Sequence, residues 1–571
     1  MDERNKITKR SKFITTPIYY INSKPHLGSV YATLMADIMA RFYRLNGIDT
    51  YFLTGTDEHG QKIQQSAEKA GLQEQEFTDK ISQIFRNVAD FMKFTNNDFI
   101  RTTEKRHTVF VQKIWRKLVE NDWLYKDKYK GWYCVSDEAY YTEDDLVKQE
   151  DGTFKTTLGK TVEWREEEGY FFRLSEFQQI LLELYKNKDF VQPEVRKNEI
   201  MAFVGGNSIK EIEKGNYVKG FLKDLSISRN TFSWGIKIPC DCDGKELLSD
   251  YDTWKDDTKD EEKHVIYVWL DALFNYQSAL EDRGIIDRFW NNADVIHVLG
   301  KDIIRFHSVY WPAFLIATKY SRKEIGNITV KNILKDNILP KTMFAHGFWI
   351  SEGKKMSKSF GNVVDAENEV EWLMNDFKIE KDVAIDYLKY FLPFEMPFGN
   401  DGDYSRAKLV DKINAELANN IGNLIQRVLS MIYKNLGGKI DCNGIGEINR
   451  VEKIKDKIEK GTINVFDFLG YKELILDISN ESNDYMEKMA PWTLKKENKI
   501  DEMKQVLFTE VENIRKIAIL MQIICPYTAK KILDFLQVEN RTFKSLYDEK
   551  CLIKNITISE PVGFFPRLQK I

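Results

Sequence analysis

The chain has 571 residues, 43% hydrophobic and 30% charged, with 84 basic against 88 acidic side chains for a formal net charge of −4. That length exceeds a single core and predicts about three or four domains, while no apolar run approaches the roughly 18 residues of a membrane span, so no membrane partner is expected. Six scattered cysteines form no disulfide framework, the start "MDERNKITKR" lacks a signal-peptide core, and Asp2 and Glu3 weigh against a mitochondrial presequence; a cytoplasmic setting is expected, with any nucleic-acid contact left to a local basic surface.

In chain order, "KFITTPIYYI", "DTYFLTG" (49–55) and "NDFIRTT" (97–103) read as strands. Between the first two, Leu27, Tyr31, Leu34, Ile38, Phe42 and Leu45 recur at helical spacing, and Asn46-Gly47 stops the pattern. Strand, helix, strand predicts a parallel α/β sheet. Residues 125–235 break the theme with dense charge and aromatics and read as an insertion splitting the sheet. The strand theme returns in "HVIYVWLD" (264–271), "DVIHVLG" (294–300) and "TMFAHGFWI" (342–350). The stretch 321–338 reads as an extra loop without a functional account. From about residue 403 long periodic segments predict an all-α bundle.

The turn Pro25-His26-Leu27-Gly28-Ser29 stands where a strand becomes a helix. Parallel sheets bind ligands beyond their strands' carboxyl ends, and a helix N-terminus there suits a phosphate. Alone, the turn equally fits a plain helix start with a surface histidine. A second element, "SEGKKMSKSFGN" (351–362), sets Lys354, Lys355 and Lys358 among small residues. Three cations on such a loop suit a clamp on a polyphosphate; by itself the loop also fits an exposed basic turn.

Together the two segments resemble the paired signatures of class I aminoacyl-tRNA synthetases. The Lys355-Met356-Ser357-Lys358-Ser359 match is complete, whereas the early turn departs at Ser29, where the family carries a second histidine. "TPIYYIN", "FLTGTDEHGQK", "YVWLDAL", "GKDIIRFHSVYWPAFL", "AHGFW" and "APW" are similar to the methionyl-tRNA synthetase subfamily, in the same order over most of the chain. The resemblance implies an α/β fold with a Rossmann-type parallel sheet split by a connective insertion, followed by a helical anticodon-binding bundle. Its expected boundaries are 1–124, 125–235, 236–340, 341–402 and 403–571, the fourth being the region of the lysine loop.

The resemblance further implies activation of L-methionine by ATP with Mg²⁺, then transfer of methionine to tRNA(Met). His26, Lys355 and Lys358 would act on the phosphates. Gly28, Ser29, Gly300, Asp302, Lys301, Met356, Ser357 and Ser359 would complete the ATP site. The methionine pocket maps onto Ile18, Tyr20, Asp57, Trp269, Ala272, Leu273, Tyr276, Phe306, His307 and Trp311, with Asp57 taking the ammonium group. Read residue by residue, each aromatic also fits a packed core, and His307 a satisfied core histidine. Asn419, Asn423 and Arg427 share a helix face by their spacing and, with Trp492, map onto the anticodon-reading site.

Relatives often carry zinc knuckles in the insertion. Here Cys134 is followed three residues on by Asp137, and 156–164 holds neither cysteine nor histidine. One ligand of four cannot build a structural zinc site, so no zinc is expected, with Trp132, Tyr133, Tyr140 and Tyr141 packing in its place. No appended tRNA-binding or dimerisation domain is expected after the bundle, and a monomer is expected. Synthetases for leucine, isoleucine or valine carry a far larger editing insertion. A non-catalytic RNA-binding derivative, with Ser29 as a trace of lost activity, is opposed by the intact lysine loop and Asp57.

Overall fold

A computed structural model describes residues 10–569, apart from 22–23, 136–138, 142, 150, 158, 188, 352, 357–362, 442–466, 547–552 and 554. The first half runs β1 (Ser11–Tyr20), α1 (Leu27–Leu45), β2 (Thr50–Asp57), α2 (Gln61–Ala70), α3 (Glu74–Phe91), β3 (Asp98–Arg101), α4 (Lys105–Glu120), β4 (Leu124–Cys134), β5 (Glu163–Phe172) and β6 (Val191–Gln192). The chain continues through α5 (Val268–Leu273), α6 (Asn275–Glu281), β7 (Ala293–Gly300), α7 (Trp311–Lys319), β8 (Thr342–His346), β9 (Trp349–Ser351), β10 (Lys354–Lys355), α8 (Lys381–Phe394) and β11 (Gly402–Tyr404). The helical part contains α9 (Asn423–Leu436), α10 (Phe468–Met489), α11 (Pro491–Lys496), α12 (Ile500–Met521) and α13 (Pro526–Phe535).

The central sheet is ordered β3-β2-β1-β7-β8-β6 and is parallel throughout. Strand order reverses between β1 and β7, and a crevice at the carboxyl ends follows from that reversal. One apolar core lies between α1, α8 and the helical bundle; another fills the opposite face against α4, α7 and the segment 170–280. Helix α1 has the spacing predicted from its apolar residues and buries Leu27, Tyr31, Leu34, Ile38 and Phe42. Among the described residues no helix is long and apolar enough to cross a membrane.

Three segments depart from the expected elements. "HVIYVWLD" is strand only at Val265–Ile266, which pairs with Ser228–Arg229; its second half, Val268–Asp271, opens α5. A short apolar run fits a buried helix as well as a strand. "TMFAHGFWI" forms two strands in different sheets, because the Phe348 N–H turns aside to Asp401 Oδ1 at 2.7 Å. The span 321–338 holds two short helices, Arg322–Ile325 and Val330–Lys335, each opened by a capping box. Val191–Gln192, inside the span expected as the insertion, joins the central sheet beside β8, too short a strand to leave a periodic signal.

Gly55 in β2 has no room for a side chain, since a Cβ there would lie 2.1 Å from the Ile100 carbonyl oxygen of β3. Neither backbone can yield without breaking the β2–β3 ladder. Gly55→Ala should therefore destabilise the catalytic half by about 3 kcal/mol or more. A fall in the thermal midpoint checks this; an unchanged midpoint would mean that the strands separate freely.

Candidate active site

His26 is the N-cap of α1, with Nδ1 accepting from the Gly28 N–H at 3.0 Å. A neutral ring so bound keeps its proton on Nε2, a donor on the side away from Gly28. Surrounding protein lowers the His26 pKa, opposed by the charge of Asp302. A Cβ on Gly28 would stand 2.8 Å from the His26 ring, so this glycine is required by the cap itself. Ser29 donates its N–H to the His26 carbonyl, and its own carbonyl accepts from the Tyr19 and Thr33 hydroxyls at 3.0 and 3.1 Å.

The strand ends converge as the register requires. Tyr20 and Asp57 are partners across β1 and β2, and Gly300 and His346 across β7 and β8. Residues beside Asp57 are firmly held. Glu58 takes both arms of Arg101 at 2.8 and 2.9 Å and the hydroxyls of Thr56 and Thr103 at 2.7 and 2.5 Å. His59 bonds Asp271 at 2.7 Å.

Of the aromatics expected in the pocket, the structure brings Trp269, Tyr276, Phe306 and Trp311 together, whereas Tyr20 packs against a separate small cluster of Ile21, Ile63, Phe85 and Phe99. Trp269 stacks on Phe306 with centroids 3.7 Å apart. Tyr276, Phe306 and Trp311 are buried in one core with Leu273, while Ile18 and Trp269 pack against it half-buried. Ala272 is buried one turn along α5. His307 Nδ1 faces the Ile303 carbonyl at 3.1 Å and must donate to it, so Nε2 accepts from the Tyr276 hydroxyl at 2.8 Å. Burial lowers the His307 pKa to about 4.

Sequence reasoning did not single out His297, whose signal was a polar residue inside the apolar strand "DVIHVLG". Its Nε2 accepts from Trp311 at 3.2 Å, its Nδ1 meets Thr15 Oγ1 at 2.6 Å, and its ring lies 4.2 Å from that of Tyr276. His346, also missed, donates from Nδ1 to the Gly347 carbonyl and leaves Nε2 without a partner among the described residues. The buried Arg229, between the Tyr133 and Tyr267 rings, left no sequence signal.

Lys301 is engaged by Asp401 at 2.8 Å and lies over the Phe348 ring. Asp302 acts electrostatically on both His26 and His346. The lysine loop starts as a hairpin, β9 against β10, with β11 on the other side. Gly353 has φ +75° and donates to Asp403 Oδ1 at 3.1 Å. The backbone of Lys354 and Lys355 is described and Met356 is half-buried, whereas Ser357, Lys358 and Ser359 lie outside the described residues. In the helical part Asn419 and Asn423 are exposed, and Arg427 pairs with Glu487 at 2.6 Å over the Trp492 ring.

In the insertion, Trp132 packs on Phe154 and Trp164, and Tyr133 is buried; Asp137 and the Tyr140 side chain lie outside the described residues. Among the described residues no group of three or more His, Cys, Asp or Glu side chains is placed to hold a metal.

The family described as tRNA synthetases class I (M) matches residues 12–153 and 151–429. The chain is 41% identical to the methionine--tRNA ligase of Rickettsia felis over 98% of this chain and 99% of that one. It is 40% identical to the methionine--tRNA ligase of Mesorhizobium japonicum over 98% of each. It superposes on Mycobacterium tuberculosis methionyl-tRNA synthetase in complex with methionyl-adenylate with a TM-score of 0.81, at 35% identity, covering 98% of this chain and all of that one. The apo form of the same enzyme gives 0.76 at 32% identity.

The buried imidazoles carry a pH consequence. His307 titrates near 4 when folded against an ordinary value near 6.5. Unfolding takes up a proton between these values, so its contribution is full above pH 6.5 and lost as pH falls toward 4. His297, His346 and His26 shift the same way. Removing His307 by substitution with Gln should flatten the fall in unfolding stability between pH 6.5 and 5 by up to about 1.4 kcal/mol per pH unit. Urea titrations across that range read the slope; an unchanged slope would mean that the ring is protonated in the fold.

Proposed function

The chain belongs to the class I tRNA synthetases and is a methionine--tRNA ligase, and from that premise we propose how its own residues divide the reaction. The enzyme joins methionine to AMP from ATP with release of pyrophosphate, then transfers methionine to tRNA. The proposal rests most on one observation: Tyr20 and Asp57 are register partners at the carboxyl edge of the sheet, and Ile18, two residues earlier on β1, packs on the core that carries the stacked Trp269 and Phe306.

Asp57 holds the substrate ammonium by a charge-assisted hydrogen bond. Ile18, Tyr20, Trp269, Ala272, Leu273, Phe306 and Trp311 surround the thioether, an apolar and polarizable group. The Tyr276–His307 bond keeps that wall uncharged. A methionine carboxylate oxygen bonds to the α-phosphorus as the bond to the pyrophosphate oxygen breaks. His26 donates from Nε2 to the phosphates, and Lys355 and Lys358 neutralise the leaving pyrophosphate. Preorganised donors of this kind are worth on the order of 10²–10³-fold each. Gly28, Ser29, Met356, Ser357 and Ser359 shape the nucleotide site, and Gly300 and Asp302 meet the ribose. Lys301 serves indirectly, its ammonium being spent on Asp401.

In the second step a ribose hydroxyl of the terminal tRNA adenosine attacks the methionyl carbonyl and AMP leaves. Mg²⁺ enters with the ATP phosphates, as expected of an ion that keeps most of its ligands from substrate and water. The insertion works without zinc on aromatic packing, the spans 1–124, 125–235, 236–340, 341–402 and 403–571 divide the labour with Val191–Gln192 of the second returned to the central sheet, and the enzyme acts as a cytoplasmic monomer on tRNA(Met). Asn419, Asn423, Arg427 and Trp492 read the anticodon, polar groups on base edges and the indole on a base face.

A paired experiment tests the division. Asp57→Asn should raise the methionine KM in ATP–pyrophosphate exchange by roughly tenfold or more. Arg427→Ala should leave exchange within about twofold and lower kcat/KM for tRNA charging by roughly tenfold or more. Equal losses in both assays for Arg427→Ala, or an unmoved methionine KM for Asp57→Asn, would overturn the corresponding assignment.

A further inference from the structure

A second polar cluster lies behind the pocket and takes no part in the scheme above. Asp271, His107 and Ser278 are 0% exposed and His59 is 7% exposed. Asp271 Oδ2 meets His59 Nδ1 at 2.7 Å, and Oδ1 meets His107 Nε2 at 2.7 Å. His107 Nδ1 meets Ser278 Oγ at 2.7 Å. Carboxylate oxygens of an ionised Asp271 only accept, so both imidazole nitrogens facing it carry protons. Burial alone would raise the Asp271 pKa; the two imidazoles bring it below the usual carboxylate value.

The placement matters more than the strength. His59 stands two residues beyond Asp57, past the end of β2. His107 lies in the first turn of α4, Asp271 in α5 among Trp269, Ala272 and Leu273, and Ser278 in α6. The group that anchors the substrate ammonium and the wall that meets its side chain thus ride on different elements. The His59–Asp271 bond joins those elements directly. Between Asp57 and His59, Arg101 fixes Glu58, so the strand end has little freedom to adjust. Buried charges retained at such a cost fit a role in specificity more than in stability.

We infer that Asp271 is a positioning residue that sets the span between Asp57 and the Trp269 wall, and with it the side-chain length the enzyme accepts. The inference rests on Asp57 holding the ammonium, which the Asp57→Asn result above decides separately. A bridge that served packing alone would weaken the enzyme toward every amino acid by one factor. A bridge that sets the span changes the ranking by length.

The test is ATP–pyrophosphate exchange by the full-length enzyme with methionine, ethionine (one methylene longer), homocysteine (lacking the terminal methyl) and norleucine (sulfur replaced by methylene). Asp271→Asn turns an amide nitrogen toward one imidazole N–H and breaks the bridge on that side. The methionine KM should rise about tenfold with the ATP KM within about twofold. Discrimination against ethionine should fall at least about fivefold, since one methylene in a fitted pocket is worth tenfold or more. The methionine-to-norleucine ratio should hold, because the Tyr276–His307 pair is untouched. His59→Gln, which leaves the Asp271–His107 bond in place, should shift the same ratios in the same direction by less, and it carries the test if Asp271→Asn fails to fold. A uniform loss across the four amino acids in the folded variant, or a fall in kcat with unchanged methionine KM and length ranking, would overturn the inference.

Discussion

The parallel register of four strands is the constraint on which the rest depends. It ends β1 and β2 together at Tyr20 and Asp57, and β7 and β8 together at Gly300 and His346. Because strand order reverses between β1 and β7, the two pairs flank one crevice. In the proposed scheme the amino-acid side of the site grows from the first pair and the nucleotide side from the second. His26, at the start of the helix that follows β1, feels the charge of Asp302 just beyond β7. A slip of one residue in any of these strands would turn its side chains to the other face and separate the groups that must meet.

Burial then decides chemistry through protonation. His297 and His307 sit in the core of the pocket, where desolvation keeps them neutral. A neutral imidazole has one donor and one acceptor, and the fold uses both on each ring: Thr15 and Trp311 for His297, Ile303 and Tyr276 for His307. The core that holds Trp269, Phe306 and Trp311 thus contains two imidazoles and no charge on either. The buried Asp271 carries charge behind this wall, held between His59 and His107.

Much of this was legible in the sequence because it is written in local patterns. The spacing of Leu27, Tyr31, Leu34, Ile38 and Phe42 specifies one face of α1, and the structure buries that face. The alternation and β-branched content of "KFITTPIYYI" and "DVIHVLG" specify strands. "HVIYVWLD" reads as a strand although half of it is helix, since a short apolar run has no period to read and α5 is buried on nearly all sides. The aromatic pocket residues were found through resemblance; their types alone did not separate pocket from core. The His59–Asp271–His107 bridge was invisible for another reason: its members lie 48 to 212 positions apart in the chain and carry no shared spacing. Likewise, nothing in the sequence shows that Lys301 is spent on Asp401 or that Gly28 is required by the cap of His26.

The central claim is that these strand ends build a pocket for one side chain. ATP–pyrophosphate exchange measured with each of the twenty amino acids tests it most directly. The account predicts exchange with methionine and background with the other nineteen at matched concentration. Exchange with leucine, isoleucine or valine at a rate near that of methionine, or no exchange with any amino acid, would contradict it.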